Sequence, residues 1–234
     1  MMHDNVELSF EYPSKVAEKL VSGEADIGLI PVAAIPSLKE HYIISDFCIG
    51  TEGEVASVCL FSDVPVNDIR KVYLDYQSRT SVALLKLLLQ NHWKVNPEMV
   101  QAVSGYEANI SGNTAGLVIG DRAFFQRTKS KYIYDLGSAW KEMTGLPFVF
   151  AAWVANKRFP EEFISNFNQI TSDGLNHIEE IVAGNPFEAY DLHKYYTKNI
   201  SYILDEKKRE GLKQFLCALA DQQKIAFTNN GPAL

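Results

Sequence analysis

The side chains best suited to chemistry in this chain are four consecutive polar residues, Ser78, Arg79, Thr80 and Ser81. They follow a short β-branched and apolar segment, 72–74, that predicts a strand, and they precede leucines spaced for one helical face. A helix start has unpaired backbone N–H groups and a partial positive charge. Hydroxyls and a guanidinium at that point suit a carboxylate or phosphate. The alternative is a structural N-cap, since Ser and Thr are common there without a ligand.

Composition and charge exclude several classes of protein. With 234 residues, 47% apolar and 22% charged, the chain predicts a globular protein of two small lobes. A net charge of −7 argues against a nucleic-acid-binding protein. No apolar run approaches the ~18 residues of a membrane span, and the N-terminus lacks the pattern of a signal peptide. We therefore expect a cytoplasmic protein that interacts with neither nucleic acid nor membrane.

The sequence predicts no metal site and no cofactor. The three cysteines, Cys48, Cys59 and Cys217, are far apart and lack the spacing of metal ligands, so they are interpreted as reduced thiols. Neither glycine-rich nucleotide-binding motif, G-x-G-x-x-G or G-x-x-x-x-G-K-[ST], is present.

Strands and helices alternate through about residue 150, which predicts an α/β fold with parallel sheets. Beyond Pro160 the pattern is helical. The predicted strands are 6–12, 25–34, 42–49, 54–62, 72–74, 115–120, 132–136 and 144–156, and the main predicted helices are 14–21, 82–89, 121–127, 161–183, 186–198 and 205–224.

Two long predicted strands define the domain organisation. The strands at about 54–62 and 147–156 bracket the segment 63–146, which has its own βαβ pattern. We therefore expect one lobe from 1–60 plus 155–234, a second lobe from 63–146, and two hinge strands between them. In folds of this kind ligands bind in the cleft, near helix N-termini beyond strand ends.

A second strand-to-helix turn occurs at Asp121. This residue follows Gly120 and the buried strand before it, so Asp121 is predicted to be the N-cap of the next helix. A role in orienting a ligand hydroxyl is the alternative.

Five blocks in combination resemble a known family. In chain order they are GEADIGLIPVAAI, GEVASVCLFS, LDYQSRTSVALLKLLL, LVIGDRA and YDLGSAWKEMTGLPFVFAAWV. Over roughly residues 6–225 the chain resembles the chorismate dehydratases of the futalosine route to menaquinone. The resemblance implies a two-lobed fold like that of type II periplasmic binding proteins, with parallel or mixed sheets and two hinge strands, in a cytoplasmic enzyme.

The start of the chain departs from that family. Its members begin with a strand carrying a Tyr-Leu-Asn segment, which lies centrally between the next two strands and supplies an active-site Asn. The present chain begins at what resembles the second strand. We therefore expect a gap in the first lobe's sheet with two unpaired strand edges, and activity that depends on whether such a segment is encoded upstream.

The family's reaction removes water from chorismate, a dicarboxylate, to give 3-(1-carboxyvinyloxy)benzoate without a redox cofactor. The resemblance implies one carboxylate at the 79–81 segment, a hydroxyl from one hinge strand, and backbone N–H groups at the start of the other. The residues expected to contact the substrate are Ser57, Arg79, Thr80, Ser81, Asp121, Thr144 and Gly145.

The general base stays open at the level of sequence. Asp26, Glu54, Asp121 and Glu142 lie near the matching blocks, and a substrate carboxylate is a fifth candidate. Two other functions also remain open: a non-catalytic small-carboxylate binding protein, and the sister enzyme acting on cyclic dehypoxanthine futalosine. A homodimer is compatible with each of these functions.

Overall fold

The computed structural model describes residues 6–229, with side chains through residue 222. The helices are α1 (Pro13–Ser22), α2 (Arg79–Asn91), α3 (Asp121–Arg127), α4 (Leu136–Thr144), α5 (Glu161–Leu175), α6 (Ile178–Gly184), α7 (Leu192–Lys194) and α8 (Glu206–Asn229). The strands are β1 (Ile27–Pro31), β2 (Tyr42–Thr51), β3 (Val58–Ser62), β4 (Lys71–Leu74), β5 (Glu98–Gln101), β6 (Thr114–Ile119), β7 (Tyr132–Asp135), β8 (Phe148–Ala155) and β9 (Ser201–Ile203). Short 3-10 turns occupy Val32–Ser37, Val66–Asp68 and Tyr106–Asn109, and Tyr195–Asn199 forms a π-helical turn.

The first sheet has the strand order β1-β8-β2-β9. Strand β8 pairs with β1 on one side and β2 on the other, and all described pairings in this sheet are antiparallel. The sequence predicted parallel neighbours here. The difference arises because β8, far along the chain, lies between two strands that are close in sequence.

The second sheet has the order β5-β4-β6-β3-β7 and is mixed. Strand β4 is parallel to β5 and β6, as the predicted βαβ pattern requires, whereas β3 is antiparallel to β6 and β7. The molecule therefore has a mixed α/β fold with two sheets. A continuous apolar core extends from Ile30 and Val154 of the first sheet to Leu60 and Leu117 of the second.

The segment before α1 differs from its predicted structure. Residues 6–12 have no regular secondary structure and lie outside both sheets, so the prediction of a strand was wrong for the described part of the molecule. Its apolar side chains are exposed, including Leu8 at 71% and Phe10 at 87%. Alternating apolar residues favour a strand only when a neighbouring strand pairs with them. On the described sheet β1 is an edge strand.

The region after Pro160 is mostly helical, as predicted, but it differs from the prediction in three places. The predicted 161–183 helix is divided into α5 and α6, and the predicted 186–198 helix is limited to α7 and the π-helical turn at Tyr195–Asn199. The short strand β9, which pairs with β2, was not predicted. Residues 1–5 and 230–234, which belong to the predicted first lobe, lie outside the described part. Within residues 6–229, each helix is too short or too polar to cross a bilayer.

Candidate functional site

A cleft of about 770 Å³ lies between the two sheets. Its apolar wall comes mainly from the first sheet, with Leu29 of β1, Ile49 of β2 and Phe150 of β8. Its polar wall includes the turn before α2 and the residue Ser57. Cavities of this size hold small organic ligands, and a few polar groups on an apolar surface fix the orientation of such a ligand.

The N-terminus of α2 supplies part of the polar wall. Ser78 is the N-cap: its Oγ accepts a hydrogen bond from the Ser81 backbone N–H at 3.1 Å. The Ser78 hydroxyl also donates to the Ser81 Oγ at 2.8 Å. Both residues line the cleft. The capping interpretation is therefore confirmed for Ser78, and the Ser81 hydroxyl proton is available to a ligand because its oxygen accepts the Ser78 bond.

Arg79 and Thr80 lie on other faces of the same helix turn. The Arg79 side chain is 54% exposed and reaches Glu18 at 3.5 Å. Thr80 is buried, and its Oγ1 accepts a hydrogen bond from the Ala33 backbone N–H at 3.2 Å. Neither residue is among those that line the cleft. Successive residues of a helix point about 100° apart, so four consecutive side chains cannot share one face.

Ser57 lies in the cleft and is paired with a residue distant in sequence. Its Oγ is 2.9 Å from the Tyr195 hydroxyl, and both residues line the cleft. Burial raises the pKa of the Tyr195 phenol, so it stays protonated at neutral pH. Sequence reasoning missed Tyr195, because no local pattern distinguishes it from the adjacent Tyr196. The π-helical turn that begins at Tyr195 is a feature enriched at functional sites, but it is visible only in the structure.

A buried carboxylate holds the backbone before Ser57. Asp135 accepts hydrogen bonds from the backbone N–H groups of Val55 at 3.1 Å, Ala56 at 2.7 Å and Ser138 at 3.0 Å. Ala56 has φ of +64°, an unfavourable conformation for a residue with a Cβ. Burial raises the pKa of Asp135 despite these bonds. Asp135 therefore stabilises a strained turn that presents Ser57 to the cleft.

The prediction that Asp121 caps α3 was wrong. The N-cap is Gly120, with φ of +63°, and Asp121 is the first helical residue and exposed. The strand turns into the helix through a backbone conformation that favours glycine, so the cap position falls one residue earlier. Gly120 lines the cleft, whereas Asp121 is absent from the lining residues.

Thr144 and Gly145 end α4 and contribute nothing to the described cleft lining. The Thr144 Oγ1 donates to the Trp140 carbonyl at 2.8 Å, and the Gly145 N–H donates to the Lys141 carbonyl at 2.8 Å. Both groups are thus occupied in terminating the helix. Gly145 has φ of +77°, as is usual for a helix C-cap.

None of the four side chains considered as a general base lines the cleft. Asp26 pairs with Lys157 at 2.7 Å, and Glu54 pairs with Arg127 at 3.0 Å. The one carboxylate among the described lining residues is Glu18 of α1, which is 65% exposed.

Lys15, also of α1, lines the cleft. Its side chain is 58% exposed and forms an ion pair with Glu11 at 3.6 Å. Lys15 precedes the blocks that match the family, so no sequence pattern distinguished it as a cleft residue. Within the described residues no group of three metal-ligating side chains occurs.

Comparison with known proteins identifies the family. A family model described as menaquinone biosynthesis matches residues 1–221. The chain belongs to this family. It is 30% identical over 233 residues to a chorismate dehydratase of Thermus thermophilus, with 88% of this chain and 84% of the relative covered. A chorismate dehydratase of Campylobacter jejuni is 26% identical over 160 residues, covering 65% of this chain and 71% of the relative.

Solved structures with a fold similar to that of this menaquinone-biosynthesis family member include a periplasmic binding protein. A protein of Archaeoglobus fulgidus superposes with a TM-score of 0.65 at 16% identity, covering 92% of this chain and 85% of that one. The periplasmic aliphatic sulphonate binding protein SsuA of Escherichia coli gives a TM-score of 0.55 at 12% identity, covering 92% and 76%. At these identities the likeness concerns the fold, and the predicted two-lobed architecture is confirmed.

Proposed function

We propose that the chain is a chorismate dehydratase, a hydro-lyase that converts chorismate to 3-(1-carboxyvinyloxy)benzoate in the futalosine route to menaquinone. The observation that carries the proposal is the composition of the cleft. Hydroxyl groups at the start of α2 and at Ser57 lie in one cavity with an apolar wall. Such a cavity suits a small carbocyclic ligand with carboxylates and a hydroxyl. The Thermus and Campylobacter relatives supply the identity of the substrate.

One carboxylate of the substrate binds at the N-terminus of α2 in this proposal. The Ser81 hydroxyl donates to it, and the partial positive charge of the helix start favours it. The ring then packs against Leu29 and Phe150 on the opposite wall. The second carboxylate extends toward Lys15, the cation at the α1 side of the cleft.

The elimination needs a proton acceptor at the ring carbon that bears the enolpyruvyl ether and a proton donor for the departing hydroxyl. The Ser57–Tyr195 pair supports the second role, because both hydroxyls are in the cleft and the phenol stays protonated. For the first role we favour a carboxylate of the substrate. Glu18, the carboxylate in the described lining, is largely solvated and is paired with Arg79. Aromatisation of the ring drives the reaction.

The remaining assignments are part of the same proposal. The lobes are 1–60 with 155–234 and 63–146, and the strands at 54–62 and 147–156 join them. The proposal also includes a cytoplasmic location, which the family resemblance implies, and a homodimer.

The proposal is tested by mixing the purified protein with chorismate and following the ultraviolet spectrum and the products by mass spectrometry. We expect chorismate to disappear and a product lighter by one water to form, at a rate proportional to protein. Saturable binding without product would instead identify a small-carboxylate binding protein. Turnover of cyclic dehypoxanthine futalosine without turnover of chorismate would identify the sister enzyme.

A further inference from the structure

Gln77 is a polar residue of the cleft that neither the motif analysis nor the proposed mechanism uses. It lies between β4 and α2, directly before Ser78, and it lines the cleft together with Tyr76. Its backbone N–H donates to the Asp75 Oδ1 at 2.7 Å, which folds the segment into a tight turn. Because the Asp75 side chain is completely buried, the backbone at Gln77 is held by a fixed group.

The side chain of Gln77 is held from the other side by Arg122 of α3. The Arg122 Nη2 donates to the Gln77 Oε1 at 2.9 Å and to the Asp75 Oδ2 at 2.7 Å. The Arg122 Nη1 donates to the Glu107 Oε1 at 2.7 Å. Two carboxylates thus neutralise and orient the guanidinium, so Arg122 is occupied and supports Gln77 instead of meeting a ligand.

This contact decides which way the Gln77 amide points. A guanidinium has five N–H donors and no acceptor, so the amide atom that faces it must be the oxygen. The Nε2 group of Gln77 therefore points away from Arg122. Its contact with the Tyr76 hydroxyl is long, at 3.4 Å, beyond the usual range of an N–H···O bond. Among the residues that the structure describes, the Nε2 group of Gln77 therefore has no strong acceptor.

We propose that Gln77 binds a carboxylate of the substrate through its Nε2 group and that Arg122 is the positioning residue that fixes the amide. The identity of the carboxylate as one of chorismate rests on the proposed function. The Nε2 group and the Ser81 hydroxyl then provide two donors along the same turn, at the positive end of α2. The uncharged amide makes the site selective for an acceptor oxygen without adding a cation to the cleft.

The test compares Gln77→Glu and Gln77→Met with the wild-type protein in two measurements, the affinity for chorismate by calorimetry and the kinetics of its conversion. In Gln77→Glu a carboxylate still accepts the Arg122 bond, so the fold is retained, but the donor is replaced by a like charge. We expect the Kd and the KM to rise about 10- to 100-fold, with kcat changed much less. In Gln77→Met the donor is lost without added charge, and we expect a rise of about 3- to 10-fold.

The matched control is Gln90→Glu. It makes the same charge change at an exposed position of α2, outside the cleft lining, and is expected to leave both constants within about twofold of wild type. If Gln77→Met binds chorismate as tightly as wild type, the proposed hydrogen bond from Nε2 to the carboxylate is wrong. If Gln77→Glu binds chorismate as tightly as wild type, Gln77 does not contact a carboxylate of the substrate.

The two measurements separate this inference from the proposed function. If wild type binds chorismate without converting it, the dehydratase proposal fails while the ratio of Kd values still decides the role of Gln77. If wild type neither binds nor converts chorismate, both are overturned.

Discussion

Two strand-to-helix turns lie side by side at one edge of the second sheet, and they serve different purposes. The turns are β4 to α2 and β6 to α3, and they are adjacent because β4 and β6 are parallel neighbours. The first turn has a side-chain cap at Ser78 and places hydroxyls in the cleft. The second has no side-chain cap and passes through Gly120 with φ of +63°.

The second turn holds in place both the first turn and Ser57, whose hydroxyl pairs with that of Tyr195. Its Arg122 holds the Gln77 amide, and the Gly120 N–H donates to the Ser57 carbonyl at 2.8 Å. Similar local architecture thus yields a ligand-contacting turn in one case and a supporting turn in the other. A strand-to-helix turn in a cleft does not by itself identify an anion site, and the side chains around it decide its role.

The largest effect is expected from Ser81→Ala at the first turn. Loss of a donor to a charged ligand should lower kcat/KM for chorismate about 100-fold, because hydrogen bonds to charged groups are among the strongest. Steady-state kinetics with chorismate measures it.

The matched variant is Ser78→Ala, which removes the helix cap. It should lower the free energy of unfolding by about 1 kcal/mol, measured by urea denaturation. If Ser81→Ala lowered stability but spared kcat/KM, the first turn would be a cap alone and the contrast with the second would disappear.

At the second turn, Gly120→Ala is expected to reduce stability by about 1–3 kcal/mol, since its backbone conformation is disfavoured for residues with a Cβ. A Cβ at this position would meet no atom of the described residues within 4 Å, so the cost is conformational and not steric. Thermal denaturation measures the change.

Gly53→Ala is the control for Gly120→Ala. In the described part of the chain an added Cβ would likewise meet nothing within 4 Å at Gly53, and the φ of Gly53 is not in the left-handed region. A change near zero is expected, and equal losses in both variants would contradict the conformational explanation.

The Asp135 support of Ser57 should appear as a pH dependence of stability. Burial raises the pKa of Asp135 in the folded state, so the folded protein binds more protons than the unfolded chain as the pH rises above about 4. The contribution of this group is therefore fully present below the unfolded pKa and is lost as the pH rises through the folded pKa. In Asp135→Asn this contribution to the change of the unfolding free energy with pH should be absent. Urea denaturation of both proteins between about pH 3.5 and 7 tests this, and identical slopes would argue against it.

The smallest effect is expected from Arg79→Ala. From the sequence this guanidinium was expected to hold a carboxylate, but it is 54% exposed and paired with Glu18 at the surface. Arg79 lies outside the cleft lining, so kcat/KM should change less than about threefold, and loss of an exposed ion pair should change stability by only about 0–1 kcal/mol. A decrease in kcat/KM as large as that expected for Ser81→Ala would show instead that Arg79 contacts the ligand.

Local sequence patterns determined much of this protein. The apolar periodicity predicted β4, α2, β6 and α3 close to their observed bounds, because each depends on residues near in sequence. The combination of blocks also predicted the family and the two-lobed fold. Within the site it predicted Ser57 and Ser81, both of which line the cleft, and it left a helix cap in the 78–81 turn as an alternative, which Ser78 forms.

Tertiary structure alone decided the remaining features of the site. It brought Tyr195 to Ser57 across 138 residues and Asp135 to the turn before Ser57 across about 80. It also placed β8 between β1 and β2, which made the first sheet antiparallel. The orientation of α2 in the fold places Arg79 on its exposed face. Arg122, from another helix, holds the Gln77 amide by a hydrogen bond. Local sequence specifies which groups are polar and where helices begin, whereas the partners of those groups depend on contacts between segments far apart in the chain.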